Sequence, residues 1–214
     1  MSTNARTTEP ERSRPRATRY EKRRREVVDA SIRLFSEKGY EGASLLDIAD
    51  AVGLLKGSLY YYARSKEDLL FAIVEEVFDE GVAAAAELRG SDKGPEAALR
   101  QSLERAAMYM LTHREQNAIY FHDAKSLSED RLAALGPRRT EWVNALTEVL
   151  RTGKSDGSFR ADVDPRIAAV ALIGSINWLA MQTPADAPSP AARSRFVTRY
   201  CEQLMHSVIA PTAD

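Results

Sequence analysis

Between Gly39 and Leu70 the chain reads GYEGASLLDIADAVGLLKGSLYYYARSKEDLL, and this stretch leaves few folds open. Ser44 and Asp47 have the spacing of a capping box, a hydroxyl cap answered by an acid three residues on. They predict a helix of about two turns with Ile48 and Val52 facing inward, stopped at Gly53. A second short helix is predicted over residues 56–62. Ser65 and Asp68 repeat the capping box and open a long third helix through Leu69, Leu70, Ile73, Val74, Val77, Phe78 and Val82 to about Leu88. Upstream, Val28, Ile32 and Phe35 recur at helical spacing, and Gly39 after Lys38 suits a left-handed C-terminal cap.

Helical signals continue to the end of the chain. Pro95 at a first-turn position opens a helix through Leu99, Leu103, Ala107 and Leu111. A shorter one is expected over 116–125. Ser128 begins a longer segment with a break predicted at Gly136-Pro137, because proline disfavours helical backbone before it. Asp164-Pro165 and Ser189-Pro190 each pair a cap with a first-turn proline. The last helix carries Phe196, Tyr200, Leu204 and Val208 on one face, a wide apolar coverage that suits a partner surface. No strand pattern and no internal repeat is found. The reading is all-α, with about nine helices: a disordered basic arm over 1–18, a three-helix unit over 19–64 and a larger helical body over 65–214.

The net charge of −1 conceals a polarity. Residues 1–25 hold nine basic side chains against three acids, so a +6 end meets a −7 remainder. That suits a polyanionic partner met from one end, or a solubilising tail. No run approaches the ~18 apolar residues of a membrane helix. The N-terminus has no apolar signal core. Cys201 is the single cysteine, so no internal disulfide can form. Together these point to a cytoplasmic location.

The chemistry sits on the second short helix. Lys56, Gly57 and Ser58 offer a cation and small residues for close approach to a phosphate backbone. Leu59 and Tyr62 are placed inward by spacing, Tyr60 and Tyr61 outward. A tyrosine hydroxyl bonds phosphate, and its ring touches a thymine methyl. Lys66, in the first turn of the long helix, suits another phosphate. This is the logic of a helix-turn-helix, whose second helix enters the major groove. Enzymatic readings fare poorly. His113, His122 and His206 have no metal-ligand spacing with one another or with Cys201, and no catalytic set converges. No metal and no cofactor is expected. Cys201 reads as a small buried hydrophobe and His113 as a residue flanking a helix end.

The stretch from Glu26 to about Leu70 resembles the DNA-binding region of the TetR family of bacterial transcriptional regulators. Phe35, Gly39, Tyr40, Ser44, Asp47, Ile48, Ala49, Gly53, Lys56, Gly57, Ser58, Leu59, Tyr60, Tyr62, Ser65, Lys66 and Leu69 stand where that family's pattern places them. The run GLLKGSLYYY is similar to regulators of actinobacterial lipid and steroid catabolism. Leu46, Leu55 and Ala63 depart from the pattern, at positions where a polar or basic residue, a Ser/Thr cap and a phenylalanine are usual.

The resemblance implies a repressor released from a palindromic operator by a small molecule. It implies a homodimer through the last two helices, with double-stranded DNA contacted by Ser44, Lys56, Gly57, Ser58, Tyr60, Tyr61 and Lys66. Taken singly, Phe78, Tyr109, Tyr120, Phe121, Trp142, Trp178 and Met181 read as core residues. The resemblance supplies an effector pocket, and makes this set its candidate lining, for an apolar or acyl-thioester ligand. The alternative is a DNA-binding architectural protein that answers to no ligand.

Overall fold

A computed structural model describes residues 14–182 and 189–210. Among them are nine α-helices: α1 Arg14–Gly42, α2 Leu45–Ala51, α3 Lys56–Leu59, α4 Lys66–Arg89, α5 Pro95–Thr112, α6 Arg114–Asp123, α7 Glu129–Asp156, α8 Pro165–Gln182 and α9 Pro190–His206. No strand is present among the described residues, and the extended pairing is limited to a single bridge between Phe159 and Ile209. The arm expected over residues 1–18 lies outside the described residues up to 13, and residues 14–18 continue α1. The chain divides into two compact units between Leu69 and Leu70, within α4.

The first unit is organised by the signals read from the sequence. Val27, Val28, Ile32 and Phe35 line one face of α1, and Ile48, Ala49, Leu59 and Ala63 close over them as a small core. Phe35 and Tyr40 meet edge to face at 5.3 Å. Gly39 breaks the helical path of α1 with φ 75° and ψ 159°, a region essentially reserved for glycine. Gly53, with φ 64°, turns the chain between α2 and α3. Both capping boxes form: Asp47 N–H donates to Ser44 Oγ at 3.1 Å, and Asp68 N–H to Ser65 Oγ at 3.0 Å.

In the second unit α5, α7, α8 and α9 share a core of Leu99, Leu103, Leu146, Leu150, Phe159, Ile176, Cys201 and Met205. Gly153 of α7 admits the Phe159 ring, whose Cδ2 lies 2.2 Å from where a Cβ would stand. Asp164 caps α8 by accepting from Arg166 and Ile167 N–H at 2.9 Å each. Three arginines tie α4 to its neighbours, Arg138 of α7 and Arg105 of α5 reaching in and Arg89 of α4 reaching out to α7. Arg138 meets Glu75 and Asp79 at 3.0 and 2.9 Å, Arg105 meets Glu80 at 2.6 Å and also Glu87, and Arg89 meets Glu141 and Glu148 at 2.5 and 3.4 Å.

Two elements differ from expectation. No break occurs at Gly136-Pro137: α7 runs straight through. The clash that drives the residue before proline out of helical backbone involves its Cβ, which Gly136 lacks. In α9 the core stripe is Val197, Cys201 and Met205, one residue on from the predicted Phe196, Tyr200 and Leu204; Val208, just past the helix, is buried as expected, and Phe196 is exposed. Among the described residues no helix is long and apolar enough to cross a membrane.

Candidate nucleic-acid interface

The helix-turn-helix is α2, the turn at Gly53, and α3. Ser44 and Asp47 exchange backbone and side-chain bonds at the start of α2, and Lys38 Nζ reaches Asp47 at 2.6 Å. Lys38 first, and Ser44 second, hold the Asp47 carboxyl well below the usual carboxylate range. Ser44 is exposed, and its hydroxyl is spent on the cap.

Helix α3 is shorter than predicted. Regular helix covers Lys56–Leu59, and the following residues tighten into turns through Tyr61 N–H to Ser58 O at 3.3 Å and Tyr62 N–H to Leu59 O at 2.8 Å. Such i→i+3 bonds satisfy a carbonyl end where the α pattern stops. The inward and outward faces are those expected. Leu59 and Ala63 are buried, Tyr62 is half-buried, Lys56, Gly57 and Ser58 are exposed, and Tyr60 and Tyr61 are 46% and 74% exposed. Leu55, in the N-cap position, makes no side-chain cap and is 81% exposed. A leucine there neither caps the helix nor joins the core.

Tyr61 and Tyr62 are joined by Tyr20 of α1, a residue the sequence reading passed over. Tyr20 stacks on Tyr62 at 5.4 Å and 19°, and meets Tyr61 edge-on at 5.5 Å and 86°. One turn on, Arg23 donates to the Val52 carbonyl at 2.6 Å.

Lys66 behaves differently from expectation. Its ammonium lies 4.4 Å from the Tyr40 ring centroid and donates to the carbonyls of Tyr40 and Glu41 at 2.7 and 3.3 Å. It stands within 3.8 Å of the Glu41 carboxylate as well. The carbonyl-rich end of α1 draws the cation inward.

The second unit encloses a cavity of about 360 Å³. Phe78, Tyr109, Tyr120 and Trp142 line it, as the sequence set proposed, with Val77 and Gly81 of α4 and Ile173 and Asn177 of α8 beside them. Phe78 and Tyr120 meet edge to face at 5.2 Å, and Trp142 Nε1 donates to Ser102 Oγ at 3.2 Å. Burial raises the Tyr120 phenol above its ordinary range. Phe121, Trp178 and Met181 are not part of the lining. Trp178 is 58% exposed and Met181 is exposed too, on the outer face of α8. That helix is apolar on nearly all sides, so its sequence does not mark which side borders the void. Sequence reasoning also missed Arg138 and Arg139, which border the cavity. Their signal was available, since Arg138 sits one helical turn before Trp142.

No group of three potential metal ligands occurs among the described residues. His113 joins α5 to α6 and stacks on Tyr109 at 4.2 Å. Cys201 is fully buried, which pushes its thiol up to about 12.

Two family models match: bacterial regulatory proteins of the tetR family over residues 27–73, and the tetracyclin repressor-like C-terminal domain over residues 92–181. The HTH-type transcriptional repressor KstR2 of Rhodococcus jostii (strain RHA1) is 33% identical over 147 residues, which are 68% of this chain and 72% of that one. The structure of the ketosteroid transcriptional regulator KstR2 of Mycobacterium tuberculosis has the same fold, with TM-score 0.78 at 23% identity over 88% of this chain and 96% of that one. So does AibR in complex with isovaleryl coenzyme A and operator DNA, with TM-score 0.72 at 23% identity over 88% and 99%. Sequence motif, helix-turn-helix geometry and these matches agree: the chain belongs to the TetR family and is a DNA-binding transcriptional regulator, not an enzyme.

Proposed function

We propose that this chain is a cytoplasmic repressor that holds a palindromic operator as a homodimer and lets go when a small molecule fills the cavity of its second unit. The observation that carries the reading is the exposure of Lys56, Gly57, Ser58, Tyr60 and Tyr61 on one short element anchored by Leu59 and Ala63. Lys56 meets phosphate, and the two outward tyrosines meet phosphate or base edges. Ser44 and Lys66 act at one remove, by fixing α2 and the end of α1.

Dimerisation through α8 and α9 is supported by their exposed Ile167, Val170, Trp178, Met181 and Phe196, an apolar face at odds with a lone subunit. An apolar effector suits the aromatic lining, and a cavity of this size is within the range of small-molecule sites. Arg139 at its border suits an anionic end, as in an acyl thioester of coenzyme A, the class of ligand held by AibR, while Arg138 beside it is engaged by Glu75 and Asp79. An architectural protein that answers to no ligand has no use for such a void.

The test is binding of purified protein to fragments of the DNA upstream of its own gene, with and without acyl-coenzyme A thioesters. The expected result is a two-fold symmetric footprint with half-sites about 34–36 Å apart, weakened by salt and by one class of thioester. A monomer with no salt-sensitive affinity for any duplex refutes the reading.

A further inference from the structure

Residues 19–26 of α1 and residues 54–62 face each other across a groove lined by Arg19, Tyr20, Lys22, Arg23, Tyr61 and Tyr62. Arg19 and Lys22 are exposed beside it. Two ties hold the groove together, the Tyr20 ring against Tyr61 and Tyr62, and Arg23 on the Val52 carbonyl. Tyr61 and Tyr62 in turn meet each other edge-on at 5.4 Å. Residues 19–26 of α1 are therefore packed against the recognition element, with Arg19 and Lys22 carried on the same surface.

Resting on the DNA-binding reading above, we propose that this groove is a second DNA contact, taking the sugar-phosphate backbone that flanks the operator half-site, and that Tyr20 is its positioning residue. Charge complementarity selects the occupant: Glu26, the acid of the lining, is paired with Arg23, which leaves the exposed cations Arg19 and Lys22 to match a run of phosphodiesters. The groove's continuity with Tyr61 places that run beside the bases α3 reads. Tyr20 contributes no charge. Its stacked ring fixes where Arg19 and Lys22 lie, and it braces the most exposed tyrosine of the recognition element.

The test is operator affinity as a function of salt for the full chain and three variants. For Arg19→Ala/Lys22→Ala, four phosphate contacts are lost per dimer, so the slope of log K against log salt flattens by about 3–4. Tyr20→Ala removes no charge, yet it flattens the slope by a comparable amount, because the cations lose their register. Tyr20→Phe keeps the ring and restores the wild-type slope. Operators trimmed to the half-sites abolish the differences among the four proteins, since the flanking backbone is gone. The proposal is overturned if Tyr20→Ala keeps the wild-type slope while folded, or if trimming the flanks leaves the slopes of the variants distinct. Should Tyr20→Ala fold poorly, the double cation variant on full and trimmed operators decides alone. A wild-type protein that binds no duplex refutes the functional reading instead, a different outcome from wild-type binding with insensitive variants.

Discussion

Two lysines that look alike in sequence are assigned opposite duties, and alanine substitutions separate them. Lys56 is exposed and makes no hydrogen bond or ion pair among the described residues. Its removal leaves the fold within ~0.5 kcal/mol of the parent. Each phosphate contact contributes about 0.9 to the slope of log affinity against log salt, so losing one per subunit flattens a dimer's slope by about 1.8. Between roughly 50 and 200 mM salt, that shrinks the affinity lost by about tenfold. Lys66→Ala does the reverse. It removes two bonds from an ammonium to backbone carbonyls, at 2.7 and 3.3 Å, from a side chain 23% exposed. Charge-assisted bonds of this sort are worth about 1.5–3 kcal/mol, so a loss of ~2 kcal/mol is expected. For a chain of this length that lowers the melting temperature by roughly 4–8 °C. Anisotropy titrations across salt concentrations and differential scanning calorimetry read the two effects separately. If Lys66→Ala flattens the salt slope as Lys56→Ala does and leaves the melting temperature alone, the inward placement of Lys66 is wrong.

Further expectations concern the rest of the chain. Gly153→Ala drives a methyl into the Phe159 ring, with Pro95 Cβ 3.0 Å away, and overpacking of ~1–3 kcal/mol outweighs the ~1 kcal/mol gain in helix propensity. Calorimetry should show a lower melting temperature, and the penalty should shrink in a Phe159→Leu background. Leu55 is 81% exposed beside the start of α3; if it touches a thymine methyl, uracil-for-thymine operators weaken the parent several-fold and leave Leu55→Ser insensitive at one symmetric position, and equal sensitivity refutes the contact. Trp178→Glu should shift sedimentation from dimer to monomer, and an unchanged dimer removes α8 from the interface. The buried thiol of Cys201 titrates near 12 against an ordinary 9.0, so the stability it contributes is complete below about 9 and lost as pH rises toward 12. Mass spectrometry should find it unalkylated by iodoacetamide in native protein at neutral pH and labelled in urea.

Local chemistry was legible wherever a single residue type has one use. The two capping boxes, the glycine at 39, the proline at 95 and the cap at Asp164 all sit where their backbone demands place them. The inward and outward faces of residues 59–62 followed from spacing alone. What escaped were choices between two surfaces. Helix α9 buries Val197 and Cys201 while exposing Phe196, so its apolar arc serves more than the core, and periodicity picks out the arc but not its centre. Trp178 and Met181 were grouped with the cavity for the same reason. Lys66 was misjudged because a cation near one helix start also lay within reach of another helix's last carbonyls, a proximity absent from the local sequence. Tyr20 went unnoticed because its partners are about forty residues away, and an aromatic amid arginines has no periodicity to betray it.

The ion pairs that tie α4 to its neighbours, through Arg138, Arg105 and its own Arg89, carry a mechanical consequence. Interlocked apolar side chains hold a helix in one register, and any slip opens voids. Guanidinium–carboxylate forks tolerate small slides, since a displaced fork finds another oxygen or water at little cost. Along Val77 to Gly81 this helix borders empty volume, with adjustable fasteners at Glu75, Asp79 and Glu80. Whatever enters that volume meets a helix held on this stretch by sliding ion pairs as well as by packed side chains, and the expected cost of a small slide there is lower than apolar interlocking alone would set.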